Sequence, residues 1–159
     1  MHPLFDLLRS KGHPGLILFT TGTTGRPKAI LHDFVPFISR YKTPRPSLKA
    51  VSFLLFDHIG GINTLLHMLF NLGQIVSIKE RTVDFVVKTI NDYSVELLPT
   101  TPTFLRMLSL YPTIEQKLGS SLKIISYGTE RMDQPTLKRL VEQFPEIDFR
   151  QTYGMSELG

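Results

Sequence analysis

Residues Val95–Leu110 read VELLPTTPTFLRMLSL. The apolar VELL is the length of a short buried strand. Thr101 then stands where a helix N-cap belongs, with Pro102 at the first helical position, where its missing amide hydrogen is harmless. A strand that passes through a short turn into a capped helix is one half of a βαβ unit.

The same alternation extends in both directions. Upstream, VSFLLF (Val51 to Phe56) reads as a buried strand. Ile62, Leu65, Leu66, Leu69 and Phe70 then recur at helical spacing, and Gly73 offers a stop. QIVSI (Gln74 to Ile78) is the next strand, and Val83, Val86, Val87 and Ile90 mark a helix behind a Thr82 cap. Downstream, LKIISY (Leu122 to Tyr127) is a strand. Leu137, Leu140, Val141 and Phe144 give a helix capped by Asp133, and IDFRQ (Ile147 to Gln151) closes the series. Strands alternating with helices predict an α/β fold: a mostly parallel sheet with helices on both faces, joined by right-handed crossovers.

The first part differs. LILFT and KAILH flank the glycine-rich TTGTTGRPK (Thr20 to Lys28), which predicts a strand, a loop and a second strand ahead of the sheet. The second segment is also compatible with a helix start, since Ile30, Phe34, Phe37 and Ile38 share helical spacing, although Pro36 opposes one long helix. The chain reads as one domain over 1–159, with a lead-in over 1–15, the loop hairpin over 16–32 and βα repeats over 51–159.

Composition bounds the function. The 159 residues are 42% hydrophobic and 20% charged, enough for a folded core and too apolar for disorder. The net charge of +4 favours anionic ligands only weakly, and the basic residues form no block of the kind that binds nucleic acid. There is no cysteine, which excludes disulfides, thiolate metal sites and a cysteine nucleophile. No apolar run is long enough to span a membrane, and a cytoplasmic location is expected.

In an open parallel sheet, ligands bind beyond the carboxyl ends of the strands. The stretches that follow the strands here are DHIGG, PTTPT, GTER and TYGMSELG, each rich in glycine, proline, hydroxyls or ionisable groups. The glycine-rich stretch has the parts of an anion nest: Gly22 and Gly25 free the backbone, Thr20, Thr21, Thr23 and Thr24 offer hydroxyls, and Lys28 a charge. It lacks the spacing of a Walker loop, because Pro27 stands where that pattern needs a second glycine and Ala29 follows the lysine. Composition alone leaves a polyphosphate cradle and a polar hairpin turn equally open. His58 taken alone fits a histidine capping the helix after it. Glu130 and Glu157 are carboxylates able to ligand a hard cation, and Tyr153, beside Gly154, offers a flat face for a base or a core ring.

These motifs together resemble a known family. LFTTGTTGRPKA is similar to the phosphate loop of AMP-forming acyl and aryl acid ligases, the adenylate-forming superfamily. QTYGMSELG is similar to that family's YGxTE motif, with Ser156 where threonine is usual. DHIGG, VELLPTTPTFLRML and YGTER resemble its weaker intervening motifs in the same order, and the likeness covers Leu16 to Gly159.

The resemblance implies that a carboxylate attacks the α-phosphate of ATP, giving an acyl adenylate and pyrophosphate. A thiol, often that of coenzyme A, then takes the acyl group. It implies that Thr20, Thr21, Gly22, Thr23, Thr24, Gly25 and Lys28 hold the leaving phosphates. Ser156 would bond the α-phosphate and Glu157 would hold Mg²⁺. Tyr153 and Gly154 would lie at adenine, with Gly128, Thr129 and Glu130 along its edge. His58 would stand between the acid pocket and the α-phosphate. The catalytic set implied is therefore Lys28, His58, Ser156 and Glu157.

The family also carries a ribose-binding aspartate and a C-terminal domain with a lysine, neither of which is expected in this chain. Weak nucleotide binding with little adenylation is expected of the chain alone, with self-association or a complementing subdomain as partner. A non-catalytic nucleotide-binding or scaffold module shares every binding motif, and a P-loop-type ATPase fits less well. Ile59 to Asn63 and the neighbourhood of Tyr127, expected along the acid pocket, permit aryl or acyl acids alike.

Overall fold

The structure, a computed structural model, describes residues 3–21 and 27–154. It opens on helix α1 (Pro3–Lys11), where the sequence suggested only a lead-in; Leu8 is its buried residue, and Gly12 follows it at φ +65°. Strands β1 (Gly15–Thr21) and β2 (Pro27–Asp33) then pair antiparallel, with Thr20 opposite Lys28 and Thr21 opposite Pro27. The hairpin reading of this segment holds. Helix begins only at α2 (Phe34–Ser39), where Asp33 accepts a bond from the Val35 amide and Pro36 sits in the first turn, whose amides have no intrahelical partner.

The βα series follows: β3 (Lys49–Val51), α3 (Ile59–Phe70), β4 (Gln74–Val76), α4 (Val83–Tyr93), β5 (Leu97–Thr100), α5 (Pro102–Ser109), the single turn α6 (Ile114–Lys117), β6 (Ile124–Tyr127), α7 (Gln134–Gln143) and β7 (Asp148–Gln151). The sheet has the order β4-β3-β5-β6-β7, and every neighbouring pair is parallel. With right-handed crossovers, the reversal of direction at β3 puts α3 on one face and α4, α5 and α7 on the other.

The packing agrees. Val51, Leu98 and Ile125 face Val86, Ile90, Phe104, Leu105, Leu108 and Leu140 in the main core. The alternate strand residues Ala50, Leu97 and Ile124 face Met68 of α3 on the opposite side. A third cluster, Leu18, Phe37, Tyr41 and Ile59, fastens the hairpin and α2 to the start of α3.

Three sequence expectations are corrected. VSFLLF is not one buried strand: β3 ends at Val51, the Ser52 amide makes a last bond to the Val76 carbonyl, and Leu55 and Phe56 are exposed. The chain bends outward there and Arg81 Nε binds the Phe53 carbonyl at 2.7 Å, replacing a ladder partner. The strand in VELLPT starts two residues late, at Leu97. It includes Pro99, which offers no amide hydrogen, and the ladder between β3 and β5 is the single pair Ala50 with Leu97. On α3 the expected apolar face is only partly covered. Leu69 and Phe70 are exposed while Met68 is seated against the sheet, because Gly61 brings the helix hard against the Leu55 backbone, where a Cβ would lie 1.9 Å from the carbonyl oxygen. Among the described residues no helix is long and apolar enough to cross a membrane.

Candidate functional site

Strand order reverses between β3 and β5, and such a switch point leaves a crevice beyond the carboxyl ends of the strands. A cleft of about 580 Å³ lies there. All four post-strand segments singled out in the sequence reach it: His58 to Gly61 after β3, Thr101 and Thr103 after β5, Thr129 after β6 and Gly154 after β7.

The segment after β6 is the most tightly built wall. Gly128 lies where β6 and the exit of β7 come together; a Cβ would stand 2.5 Å from Thr152 Oγ1 and 2.7 Å from its carbonyl oxygen. Thr152 is itself tied to β6, its amide and hydroxyl both donating to the Tyr127 carbonyl at 2.7 and 3.1 Å. Thr129 then adopts φ 70°, a left-handed torsion unusual for a β-branched residue. Glu130 Oε2 accepts from the Thr103 amide at 3.2 Å and the Thr103 hydroxyl at 2.5 Å, at the N-terminus of α5, where a negative charge is favoured. Arg106 holds the segment from the other side. Its guanidinium donates to Asp133 at 2.8 Å and to the Arg131 carbonyl at 2.9 Å, and lies 3.9 Å from Glu130. The Arg106 bond, with the Thr136 amide behind it, holds the Asp133 carboxyl far below the usual carboxylate range.

His58, Thr129 and Gly154, expected at the site, thus share one cleft. His58 occupies the N-cap position of α3 but makes no capping bond, which corrects the capping reading; its ring is largely exposed, 3.6 Å from Asp57. Gly128 borders the neighbouring cleft rather than this one. Tyr153 is 91% exposed, so its ring is open to a ligand and is not a core ring. Lys28 lies on β2 opposite Thr20, with its side chain exposed. Gly22, Thr23, Thr24 and Gly25 lie outside the described residues, as do Ser156 and Glu157, and of Thr21 only the backbone pairing is described.

The sequence reading missed Arg81 and Arg106. Arg81 lines the cleft from the segment after β4. Arg106 carries no local signal, because its partners lie 25 and 27 residues away.

A second cleft, about 410 Å³, runs down the α3 face of the sheet and shares Leu54, Gly60 and Thr129 with the first. Its walls include Asn63, Thr64 and His67 of α3 and Pro99, Thr100, Ile124 and Ser126 of the sheet, so the expected pocket residues Gly60 and Asn63 are among them. Among the described residues no group of three or more histidines or carboxylates is placed to hold a metal ion.

Residues 8–159 match the family described as AMP-binding enzyme. The chain is 28% identical over 154 residues to 4-coumarate--CoA ligase-like 6 of Arabidopsis thaliana, covering 89% of this chain and 27% of that protein. It is 26% identical over 163 residues to Bacitracin synthase 2 of Bacillus licheniformis, covering 94% of this chain and 6% of that protein. It superposes on the luciferase-like enzyme from the nonluminescent mealworm Zophobas morio with a TM-score of 0.77 at 25% identity, covering 89% of this chain and 34% of that one. The chain spans about a third or less of the length of the curated relatives it matches.

Proposed function

Because the chain belongs to the AMP-binding enzyme family, we propose that it forms the nucleotide-holding wall of a site that activates a carboxylic acid as its acyl adenylate. The observation that carries this reading is the convergence of four post-strand segments on the cleft at the switch point.

In that reaction a carboxylate oxygen forms a bond to the α-phosphorus of ATP, and the bond from that phosphorus to the pyrophosphate oxygen breaks. The role of the protein is positioning and neutralisation of charge. Lys28, with Thr20 to Gly25, would grip the leaving phosphates, and Ser156 would donate to the α-phosphate. Tyr153, open to solvent, would stack on adenine, with Gly128, Thr129 and Glu130 along its edge. Glu130 already accepts two bonds from Thr103, so its proposed role is to hold Thr129 in place and not to ligand a cation. His58 would stand between acid and α-phosphate. Mg²⁺ is usually held by one or two carboxylates together with substrate phosphates, and Glu157 suits that arrangement. The acid would enter the 410 Å³ cleft beside α3 and present its carboxylate at the rim formed by Gly60, Gly128 and Thr129. Coenzyme A is one acceptor open to the complete reaction.

This chain alone is proposed to bind Mg·ATP or AMP weakly in the cytoplasm and to adenylate little. Its exposed Leu69, Phe70 and Leu72 favour self-association or a complementing subdomain.

Calorimetric titration of Mg·ATP and AMP into the chain and into Lys28→Ala tests the cradle. The variant is expected to lose roughly tenfold more affinity for the triphosphate than for AMP. Equal losses, or none, overturn the role of Lys28. Acid-dependent exchange of pyrophosphate into ATP at a rate typical of enzymes overturns the expectation of little activity.

A further inference from the structure

The cleft beside α3 has an apolar lining broken by hydroxyl and amide groups, and basic side chains stand at its end. Its rim is at Gly60, and His67 stands two turns further along the helix, on the order of 10 Å away. Leu54, Leu97 and Ile124 line the passage. At the far end Arg40, Tyr41 and His67 are shared with a neighbouring cavity of about 350 Å³, whose wall continues through Arg45 and Asn71.

Neither cavity has a carboxylate among its described lining residues. Arg150, which lines the first cleft, is already paired with Asp148 at 2.6 Å. Arg45 has no such partner among the described residues: its backbone amide donates to Asn71 Oδ1 at 2.6 Å, and no carboxylate lies within ion-pair distance of its guanidinium. Arg45 and His67 line the same cavity, and burial first and Arg45 second hold the His67 imidazole below its usual value, leaving a neutral ring that can donate one hydrogen bond. Polar capacity is also unused nearby. Thr100 is 1% exposed with an unpartnered hydroxyl, and the Asn63 amide oxygen is taken by the Tyr41 hydroxyl while its nitrogen has no partner among the described residues.

A passage that abuts, at Tyr41 and His67, a cavity carrying an unneutralised guanidinium suits a ligand with a hydrocarbon middle and an anionic tip. We propose that the acid taken by this cleft is a dicarboxylate, its remote carboxylate met by Arg45 with His67 beside it. The inference rests on the proposed function only in assigning the cleft to the acid; the anion pocket itself is separately testable.

The test is calorimetric titration of the full chain with suberate, octanoate and malonate, with Mg·ATP titrated in a separate arm. Suberate has both the reach and the second charge, octanoate lacks the charge, and malonate lacks the reach. Suberate is expected to bind at least about tenfold more tightly than either. Arg45→Ala should bring suberate to within about twofold of octanoate, a difference near the resolution of the affinity scale. Arg45→Glu should abolish suberate binding. Arg45 is exposed in an irregular segment, so both variants should keep the circular dichroism and thermal midpoint of the parent chain. Equal binding of suberate and octanoate, equal binding of malonate, or no effect of Arg45→Ala overturns the proposal. So does absence of acid binding in a chain that binds Mg·ATP. Suberate binding that needs Arg45, in a chain that binds no nucleotide, supports the anion pocket and overturns the nucleotide site.

Discussion

Gly128 and Thr129 set the shape of the site at the scale of single residues. An alanine at 128 would place its Cβ 2.5 Å from one Thr152 atom and 2.7 Å from its backbone oxygen, so β6 or the exit of β7 must move. Gly128→Ala is expected to destabilise the chain by ~1–3 kcal/mol, read as a lower denaturant midpoint. An unchanged midpoint would show that this approach is loose. Thr129 carries the opposite signature, a β-branched side chain at φ 70°. A left-handed torsion costs a residue with a Cβ roughly 1–2 kcal/mol, so Thr129→Gly is expected to recover part of that as a higher midpoint. The glycine at 128 and the threonine at 129 were both legible as part of a loop at the carboxyl end of a strand. Their torsions were not, because the close approach comes from Thr152, far along the chain.

The caps were the most legible features at the scale of elements. Thr82, Thr101 and Asp133 were identified from sequence, and each accepts a bond from an amide three residues on. A cap needs only its own neighbours, so local sequence suffices. Thr101→Ala is expected to cost about 1 kcal/mol in chemical denaturation, through loss of the start of α5.

Asp133 adds a pH dependence. Its folded carboxyl lies below the ordinary 3.8, chiefly through Arg106, so its contribution is present above that value and is lost as pH falls through it toward the folded value. The thermal midpoint of the parent chain should therefore fall more steeply below about pH 4 than that of Asp133→Asn. Equal slopes would show that the pairing with Arg106 is screened away. Helix α6 is a single turn, too short for a periodic apolar signal, whereas α1 carries Leu4, Leu7 and Leu8 at helical spacing although only Leu8 is buried. β3 was over-extended because VSFLLF is apolar throughout, while its second half leaves the sheet to build a cleft wall.

For the whole molecule, the two faces of the sheet are unequal. The face carrying α4, α5 and α7 holds the main core, with Val86, Leu98, Leu105, Ile125 and Leu140 fully enclosed. The other face rests on Met68 and the smaller cluster of the hairpin. Local opening follows the density of buried contacts. Amide hydrogens of β5, β6 and α4 are expected to exchange most slowly, and those of β1, β2 and α2 markedly faster, in a mass-spectrometric exchange experiment. Uniform protection would mean that the chain opens as one unit.

The sequence by itself determined the alternation of strand and helix, the caps and the order of the loops that meet at the rim, and left the segment after the glycine-rich loop open between strand and helix. Each determined feature depends on neighbours a few residues apart or on a repeating pattern. Only the tertiary structure decided that β3 lies between β4 and β5, that α3 packs on the face opposite α4, α5 and α7, and that Arg81 and Arg106 brace the cleft. It also decided that Arg45, in the proline-bearing stretch between the hairpin and the sheet, faces a cavity beneath α3. These depend on crossover direction and on contacts between residues far apart in sequence, for which no local pattern exists.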